Sequence, residues 1–254
     1  MTRAFSIDRL DPWVVNLDRR TDRWATMQDE LRRVNIDARR FSAFTPDDWH
    51  EPESHAPLMQ GKNRKTLGNW LSHTFVMRTA AGTDRDVMVL EDDVFFASDF
   101  WSRLRWVQGN LDVDWDILFL CGTFHADQAQ WHPTIGRDVE TTHMPHLLRA
   151  YGVWSNHAYI VRGKSAGKVL GLMRSVMHQA RGSDHALILV QPQLNAYVFV
   201  PGMVFQRDGV TDVGEGRTEF SGFLKLGPYV YQDRMEQFDP LAFDWGPCQM
   251  KEAA

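Results

Sequence analysis

Hydrophobic positions along the chain follow two rhythms. Short unbroken apolar runs alternate with longer segments in which apolar residues recur every three or four positions. The first rhythm predicts strands buried on both faces, the second amphipathic helices. Trp13-Val14-Val15-Asn16-Leu17 predicts a first strand. A helix follows at once, with Trp24, Met27, Leu31 and Val34 on one face and Asp18 or Thr21 available as its cap. Ile36 to Phe44 predicts a second strand interrupted by Arg39-Arg40, and residues 45–65, without period, predict a long loop. A helix over about 67–81 places Leu67, Trp70, Leu71 and Phe75 together and ends at Gly82. Val87-Met88-Val89-Leu90 is a buried strand, and Ser98 can cap the helix that presents Trp101, Leu104 and Val107. Trp115 to Leu120 is another buried strand, and residues 123–147 are irregular and rich in histidine. Then come a strand at Tyr159-Ile160-Val161, a helix marked by Ala166, Val169, Leu170 and Met173, and a short apolar helix beginning near Asp184. The last strand, Ala196 to Val200, stops at Pro201-Gly202. Strands alternating with helices predict an α/β fold with a mostly parallel central sheet flanked by helices. With no linker or repeat, the simplest organisation is one domain over residues 1–254, with its core at about 13–213 and an aromatic-, glycine- and proline-rich tail at 214–254.

Composition narrows the class. A hydrophobic fraction of 43% and a charged fraction of 24% are those of an ordinary globular chain rather than a disordered one. No apolar run is long enough to span a bilayer, and the N-terminus lacks the apolar core of a secretion signal. Cys121 and Cys248 show no metal-type spacing and fit a reduced compartment, with a single pairing between them as the alternative; the expected location is cytoplasmic, with or without peripheral association at the inner membrane. A net charge of -5 argues against a dedicated nucleic-acid binder; Lys62-Asn63-Arg64-Lys65 is the nearest thing to a basic patch. Ten tryptophans are many for this length. A core accounts for most, and a sugar-binding cleft would use others.

The chemistry concentrates at strand ends. Glu91-Asp92-Asp93 ends the Val87–Leu90 run, where open α/β sheets place their ligand crevice. Were the chain to stay extended there, Glu91 and Asp93 would face one side and Asp92 the other. Oxygen-only ligands suit a hard divalent ion, Mg²⁺ or Mn²⁺. At the first strand end, Asn16-Leu17-Asp18-Arg19-Arg20-Thr21-Asp22-Arg23 sets guanidiniums beside a helix N-terminus, which favours an anion such as a nucleotide diphosphate. A solvated arginine-rich turn is the plainer alternative. Ser72 and His73 are polar residues beside an apolar stripe and can point toward the strand ends. No Walker-type loop, HExxH or nucleophile elbow is present, and Gly209, Gly214 and Gly216 lack the context of a dinucleotide fingerprint.

Taken in order, these segments resemble glycosyltransferase family 25, which includes lipooligosaccharide and collagen galactosyltransferases. The resemblance runs through Val15-Asn16-Leu17-Asp18-Arg19-Arg20 with Arg23, Arg40-Phe41-Ser42-Ala43, and Leu67-Gly68 with Leu71-Ser72-His73. It continues through Val89-Leu90-Glu91-Asp92-Asp93, Trp115-Asp116-Ile117-Leu118, Ala158-Tyr159-Ile160, Asp184, Pro201, Gln206 and Thr211-Asp212-Val213. Asn69 stands where that family usually has cysteine, and Thr211-Asp212-Val213 replaces a serine-aspartate-isoleucine pattern. The resemblance implies a GT-A fold, a UDP-sugar donor, a divalent metal and inversion at the anomeric carbon.

On this reading Glu91 and Asp93 hold the metal, and Asp92 contacts the ribose or donor sugar. Asn16, Leu17, Arg19, Arg23, Ala43, Ser72 and His73 lie on the donor side. Inversion by single displacement needs a carboxylate base for the acceptor hydroxyl. Asp184 is the first choice and Asp212 the second, although Asp184 also suits a capping role. The expected reaction moves galactose or glucose from UDP to a hydroxyl on a surface glycan under assembly. The alternatives are the same chemistry on a protein or modified nucleobase, and a sugar-nucleotide-binding protein without turnover.

Overall fold

The computed structural model describes residues 4–45, 64–122, 138–154, 156–200, 202–207, 209, 210, 212, 217 and 218. In chain order the elements are β1 (Leu10–Asn16), α1 (Thr21–Val34), β2 (Arg39–Ser42), α2 (Arg64–Ala80), β3 (Asp86–Glu91), β4 (Val94–Phe96) and α3 (Phe100–Asn110). They continue with β5 (Ile117–Phe119), β6 (Val139–Thr141), β7 (Leu147–Ala150), β8 (Ala158–Val161), α4 (Ala166–Ser175) and α5 (Ser183–Val190). The last are β9 (Ala196–Phe199), β10 (Val204–Gln206), β11 (Gly209–Val210) and β12 (Arg217–Thr218).

An eight-stranded sheet in the order β2-β1-β3-β8-β5-β9-β7-β6 divides the apolar residues by strand parity. Val15, Val89, Ile117, Phe119, Tyr159 and Val198 face a core completed by α2, α4 and α5. Val14, Met88, Leu90, Leu118, Ile160 and Phe199 face the other core, completed by α1 and α3. Burial on both faces explains why the central strands read as unbroken apolar runs. Parity would otherwise force polar residues at alternate positions.

Strands β2, β1, β3, β5, β9 and β6 run one way, and β8 and β7 run the other. The sheet is therefore mostly parallel, as expected, with two reversed strands. The reversal of β8 has a direct consequence for the site. Leu90 pairs with Ala158, so the residues leading into β8 arrive beside the carboxyl end of β3. The Glu91 N–H donates to the His157 carbonyl at 2.8 Å.

Several expected details differ. The second strand is shorter, because only Arg39–Ser42 pair with β1. Neither Asp18 nor Thr21 caps α1; its N-cap is Arg20, without a side-chain cap bond. Asp18 instead accepts from Arg40 Nη2 at 2.8 Å and Ser42 Oγ at 2.5 Å. The N-cap of α3 is Asp99, not Ser98. The stretch predicted as irregular over 123–147 contains β6 and the start of β7, strands too short to carry a period. Its residues 123–137 lie outside the described residues, as do 46–63 of the predicted loop, Cys248 and the tail beyond 218. Cys121 is a free, buried thiol pushed up to about 12 by desolvation. No helix among the described residues is long and apolar enough to cross a membrane.

The seat of α2 against the end of β2 decides where its polar face points. A Cβ on Gly68 would lie 2.5 Å from the Phe44 carbonyl oxygen, so only glycine allows this approach. Ser72 Oγ fastens the contact, donating to the Gly68 carbonyl at 2.7 Å and accepting from the Phe44 N–H at 2.9 Å. Gly68→Ala therefore sets two effects against each other. Helix propensity favours alanine by about 1 kcal/mol, whereas overpacking against backbone costs about 1–3 kcal/mol. The clash is with main chain that cannot swing away, so the melting temperature should fall. A rise on thermal denaturation would show that the seat is looser than described.

Candidate active site

The acidic run does not continue as a strand. Glu91 ends β3, Asp92 and Asp93 form a turn, and the chain re-enters extended structure at β4. This corrects the expected alternation of the three acids. Asp92 and Asp93 share one partner, Arg23, whose Nη1 lies 2.9 Å from Asp92 Oδ1 and 2.9 Å from Asp93 Oδ2. Glu91 turns toward α2. Its Oε1 accepts from Asn69 Nδ2 at 3.2 Å and lies 3.3 Å from His73 Nε2, without the alignment of a hydrogen bond.

Helical spacing explains the second cluster. Asn69, Ser72 and His73 stand at i, i+3 and i+4 of α2 and share its face toward the strand ends. Ser72 and His73 are fully buried, with their side chains engaged inside the protein. Ser72 holds residue 44, as above. His73 Nδ1 lies 2.9 Å from the Tyr159 hydroxyl, with the two rings stacked, so the imidazole is wedged between the sheet and Glu91.

The first strand end is similarly occupied from within. Asn16 is buried, and its Nδ2 donates to Asp92 Oδ2 at 2.6 Å and to the Arg20 carbonyl at 3.3 Å. Its Oδ1 accepts from Arg40 Nε at 2.9 Å and Nη2 at 2.7 Å. Its side chain orients Asp92 and Arg40 instead of reaching outward. The Leu17 carbonyl accepts from Arg20 N–H at 2.8 Å, and Ala43 N–H donates to the Asn16 carbonyl at 2.9 Å, so both lie at the mouth of the β1–β2 pair.

Arg19 and Arg23 have separate settings. Arg23 joins the acidic turn and donates through Nη2 to the Val210 carbonyl at 2.6 Å. Arg19 Nη2 donates to Asp212 Oδ1 at 2.6 Å, and Arg20, which the sequence reading left without a role, holds Asp212 Oδ2. Although desolvation opposes it, this pairing with two guanidiniums keeps the Asp212 carboxyl below its ordinary range. A carboxylate stabilised in that way is a weaker proton acceptor than one without cationic partners.

Asp184 is different. It lies in the first turn of α5, one residue past the start, while the N-cap is Gly182. The capping alternative is therefore not how the carboxyl is used, though its Oδ1 accepts the His185 N–H at 2.7 Å. Desolvation, with help from the nearby Glu91 charge, raises its pKa. Beside it His185 stacks on Trp154 at 6.0 Å between ring centroids and 7° between planes.

Negative charge outnumbers its partners at the acidic turn. Asp93 is pushed up to about 7 by desolvation and by repulsion from Glu91, despite Arg23. Asp93 Oδ1 is buried with no hydrogen-bond partner among the described residues. Gln206 Nε2, on β10, reaches only its Oδ2, at 3.3 Å. Among the described residues no group of three or more His, Cys, Asp or Glu side chains is arranged to hold a metal ion. Two carboxylates completed by substrate phosphate oxygens are nonetheless a common way to bind Mg²⁺, and the orphaned Asp93 oxygen fits that chemistry.

The site thus combines clustered acids at the end of β3, arginines at the start of α1 and a separate half-buried carboxylate at α5, the layout of an α/β enzyme acting on a charged ligand. The chain belongs to glycosyltransferase family 25 (LPS biosynthesis protein), whose profile matches residues 10–180, and it is a glycosyltransferase. That span covers β1 through α4 and every acid of the turn. No curated protein sequence matches. Among solved structures the chain is similar to a glycosyltransferase involved in the glycosylation of the major capsid of PBCV-1, with 10% identity over 76% of this chain and 82% of that one, at a TM-score of 0.37. It is also similar to the inositol-1-phosphate CTP transferase from T. maritima, with 11% identity over 78% and 86%, at a TM-score of 0.36.

The raised Asp93 pKa has a measurable consequence. An acid whose folded-state pKa lies above its unfolded value of 3.8 binds its proton more firmly when folded. Its contribution favours folding at low pH and is lost as the pH rises from near 3.8 to about 7. In chelator-treated protein, Asp93→Asn should remove that slope. The variant should gain on the parent between pH 5 and pH 8 by about 2–3 kcal/mol, or roughly 5–10 °C in melting temperature. Parallel pH curves for parent and variant would place the excess charge elsewhere.

Proposed function

We propose that the protein is an inverting, metal-dependent hexosyltransferase that moves galactose or glucose from a UDP-sugar to a hydroxyl of a surface glycan under assembly. The observation that carries this reading is the pairing of an under-neutralised acidic turn, Glu91-Asp92-Asp93, with a second carboxyl, Asp184, that is desolvated and free of any cationic partner among the described hydrogen bonds and ion pairs. A glycosyltransferase with a GT-A-type site needs one acid group for the donor diphosphate's counter-ion and another for the acceptor.

Glu91 and Asp93 would hold a divalent ion, Mg²⁺ or Mn²⁺, which when bound offsets charge growing on the departing diphosphate. Arg23 supplies fixed positive charge at the same turn and keeps Asp92 and Asp93 from repelling each other. Arg19 and Arg20, at the start of α1, lie where a diphosphate can displace Asp212 from them. Asp92, oriented by Asn16, contacts the donor ribose or hexose. Asp184 takes the proton from the acceptor hydroxyl as its oxygen attacks the anomeric carbon, and the bond to the UDP oxygen breaks on the opposite face, which inverts that carbon. A raised pKa suits a base that must accept a proton near neutral pH. The product glycan and UDP carry away the atoms of the substrates except that proton, which Asp184 releases to water before the next turnover.

Asp184→Asn tests the assignment. The amide keeps the size of the side chain and can still accept the His185 N–H, but it cannot take a proton. With UDP-galactose or UDP-glucose as donor and alkyl glycosides as acceptors, turnover should fall about 10²- to 10⁴-fold. Donor affinity and melting temperature should stay near the parent values. Unchanged turnover would remove Asp184 from the chemistry.

A further inference from the structure

Three polar side chains from distant parts of the sequence meet between Glu91 and Asp184. Asn69 of α2 donates through Nδ2 to Glu91 Oε1, and its Oδ1 accepts from Ser183 Oγ and, at 3.2 Å, from Asn156 Nδ2. Asn156 Nδ2 also donates to Ser183 Oγ at 2.7 Å, which closes the three into a ring. Asn156 arrives there because β8 runs against β3, and Ser183 because it opens α5. Ser183 is buried, and Asn69 and Asn156 are half-buried.

The packing of these elements does not require such a ring. Helices α2, α4 and α5 already meet through Trp70, Val76, Met77, Val169, Met173 and Leu187. Placing amides and a hydroxyl at the rim adds directional bonds where apolar contacts alone would leave the first turn of α5 free to shift. Hydrogen bonds are specific in angle and distance, whereas apolar packing is not. Each ring member is also one link from an acid: Asn69 bonds Glu91, Asn156 precedes His157, whose carbonyl receives the Glu91 N–H, and Ser183 precedes Asp184.

We propose that Asn69, Asn156 and Ser183 are positioning residues, forming a polar strut that fixes Asp184 relative to Glu91. The proposal rests on the reading of Glu91 as a donor-side acid and Asp184 as the acceptor-side base. The strut sets the angle at which a hydroxyl held by Asp184 meets a sugar held near Glu91. It touches neither reacting atom. Loosening it should leave donor binding intact and spoil the alignment for transfer, so that water competes better for the donor.

The test uses the full chain with UDP-galactose or UDP-glucose, alkyl glycosides as acceptors, and the variants Asn69→Ala, Ser183→Ala and Ser183→Thr. Transfer by each alanine variant should fall about tenfold to 10²-fold, the scale of a displacement of about 1 Å in a reacting pair. Donor affinity by calorimetry should stay within about twofold of the parent, because uniform binding is not what the strut provides. The share of donor lost to hydrolysis should rise, and Ser183→Thr, which keeps the hydroxyl, should recover transfer. The double alanine variant should be no worse than the poorer single one, as expected for residues acting as a unit. Parent-level transfer in both alanine variants overturns the proposal. A matched fall in transfer, donor affinity and melting temperature also overturns it, since that is the signature of general destabilisation. Asp184→Asn, measured alongside, separates the two readings. If it abolishes transfer while the alanine variants do not, the strut alone is wrong; if it retains transfer, the base assignment is wrong and the strut falls with it.

Discussion

The contact between Arg23 and the Asp92-Asp93 turn is the interaction on which the rest of the site depends. Two carboxylates cannot sit side by side at the end of a buried strand without a positive partner, and one guanidinium serves both. Because Arg23 stands in the first turns of α1 and also bonds the Val210 carbonyl, it ties the first helix, the acidic turn and the β11 segment into one unit. Neutralisation stops short of completion. Glu91 has only an amide and imidazoles beside it, and one oxygen of Asp93 has no hydrogen-bond partner among the described residues. A site built for stability alone would finish the pairing. This one retains negative charge at the end of β3.

Sheet topology converts that local arrangement into an active-site layout. The parallel strands β2, β1 and β3 bring arginines and acids to one edge of the crevice. The reversed strand β8 then delivers Trp154, Asn156 and His157 to the same end, and α5 begins there with Ser183 and Asp184. Asp184 is thus carried on a different element from the acids of the turn. Desolvation raises the pKa of Asp93 and of Asp184 alike; Arg23 moderates the first, and no guanidinium among the described residues moderates the second.

Much of this was legible in the sequence. The runs at Val87–Leu90, Ile117–Leu120 and Ala158–Val161 announce strands because both faces of the sheet are covered, and the acids after Leu90 mark the ligand end. Residue order along the chain was enough to identify the family. Side-chain direction was not. The turn at Asp92-Asp93 breaks the alternation that an extended chain would give, and nothing in three consecutive acids announces a turn. Ser72 and His73 were correctly placed on a face toward the strand ends, yet that face is sealed by Phe44 and Tyr159, contacts between residues 28 and 86 positions apart. Asn69 drew notice only as a departure from the family's usual cysteine, and Asn156 gave no signal, because its role exists only once β8 is laid against β3. The pairing of Asp212 with Arg19 and Arg20 spans more than 190 residues and was equally invisible.

On the proposed function, a divalent cation and a nucleotide diphosphate complete the acidic turn jointly. Thermal unfolding of the full chain with Mn²⁺ alone, UDP-galactose or UDP-glucose alone, and each pair together tests it directly. Ligands that bind the folded state stabilise it by RT ln(1 + L/Kd), with L the free ligand concentration. Either component by itself should give a small shift, and the pair a shift that exceeds their sum and is lost in Glu91→Ala/Asp93→Ala. A donor-induced shift that is the same with and without Mn²⁺, and unaffected by removing both acids, would contradict it.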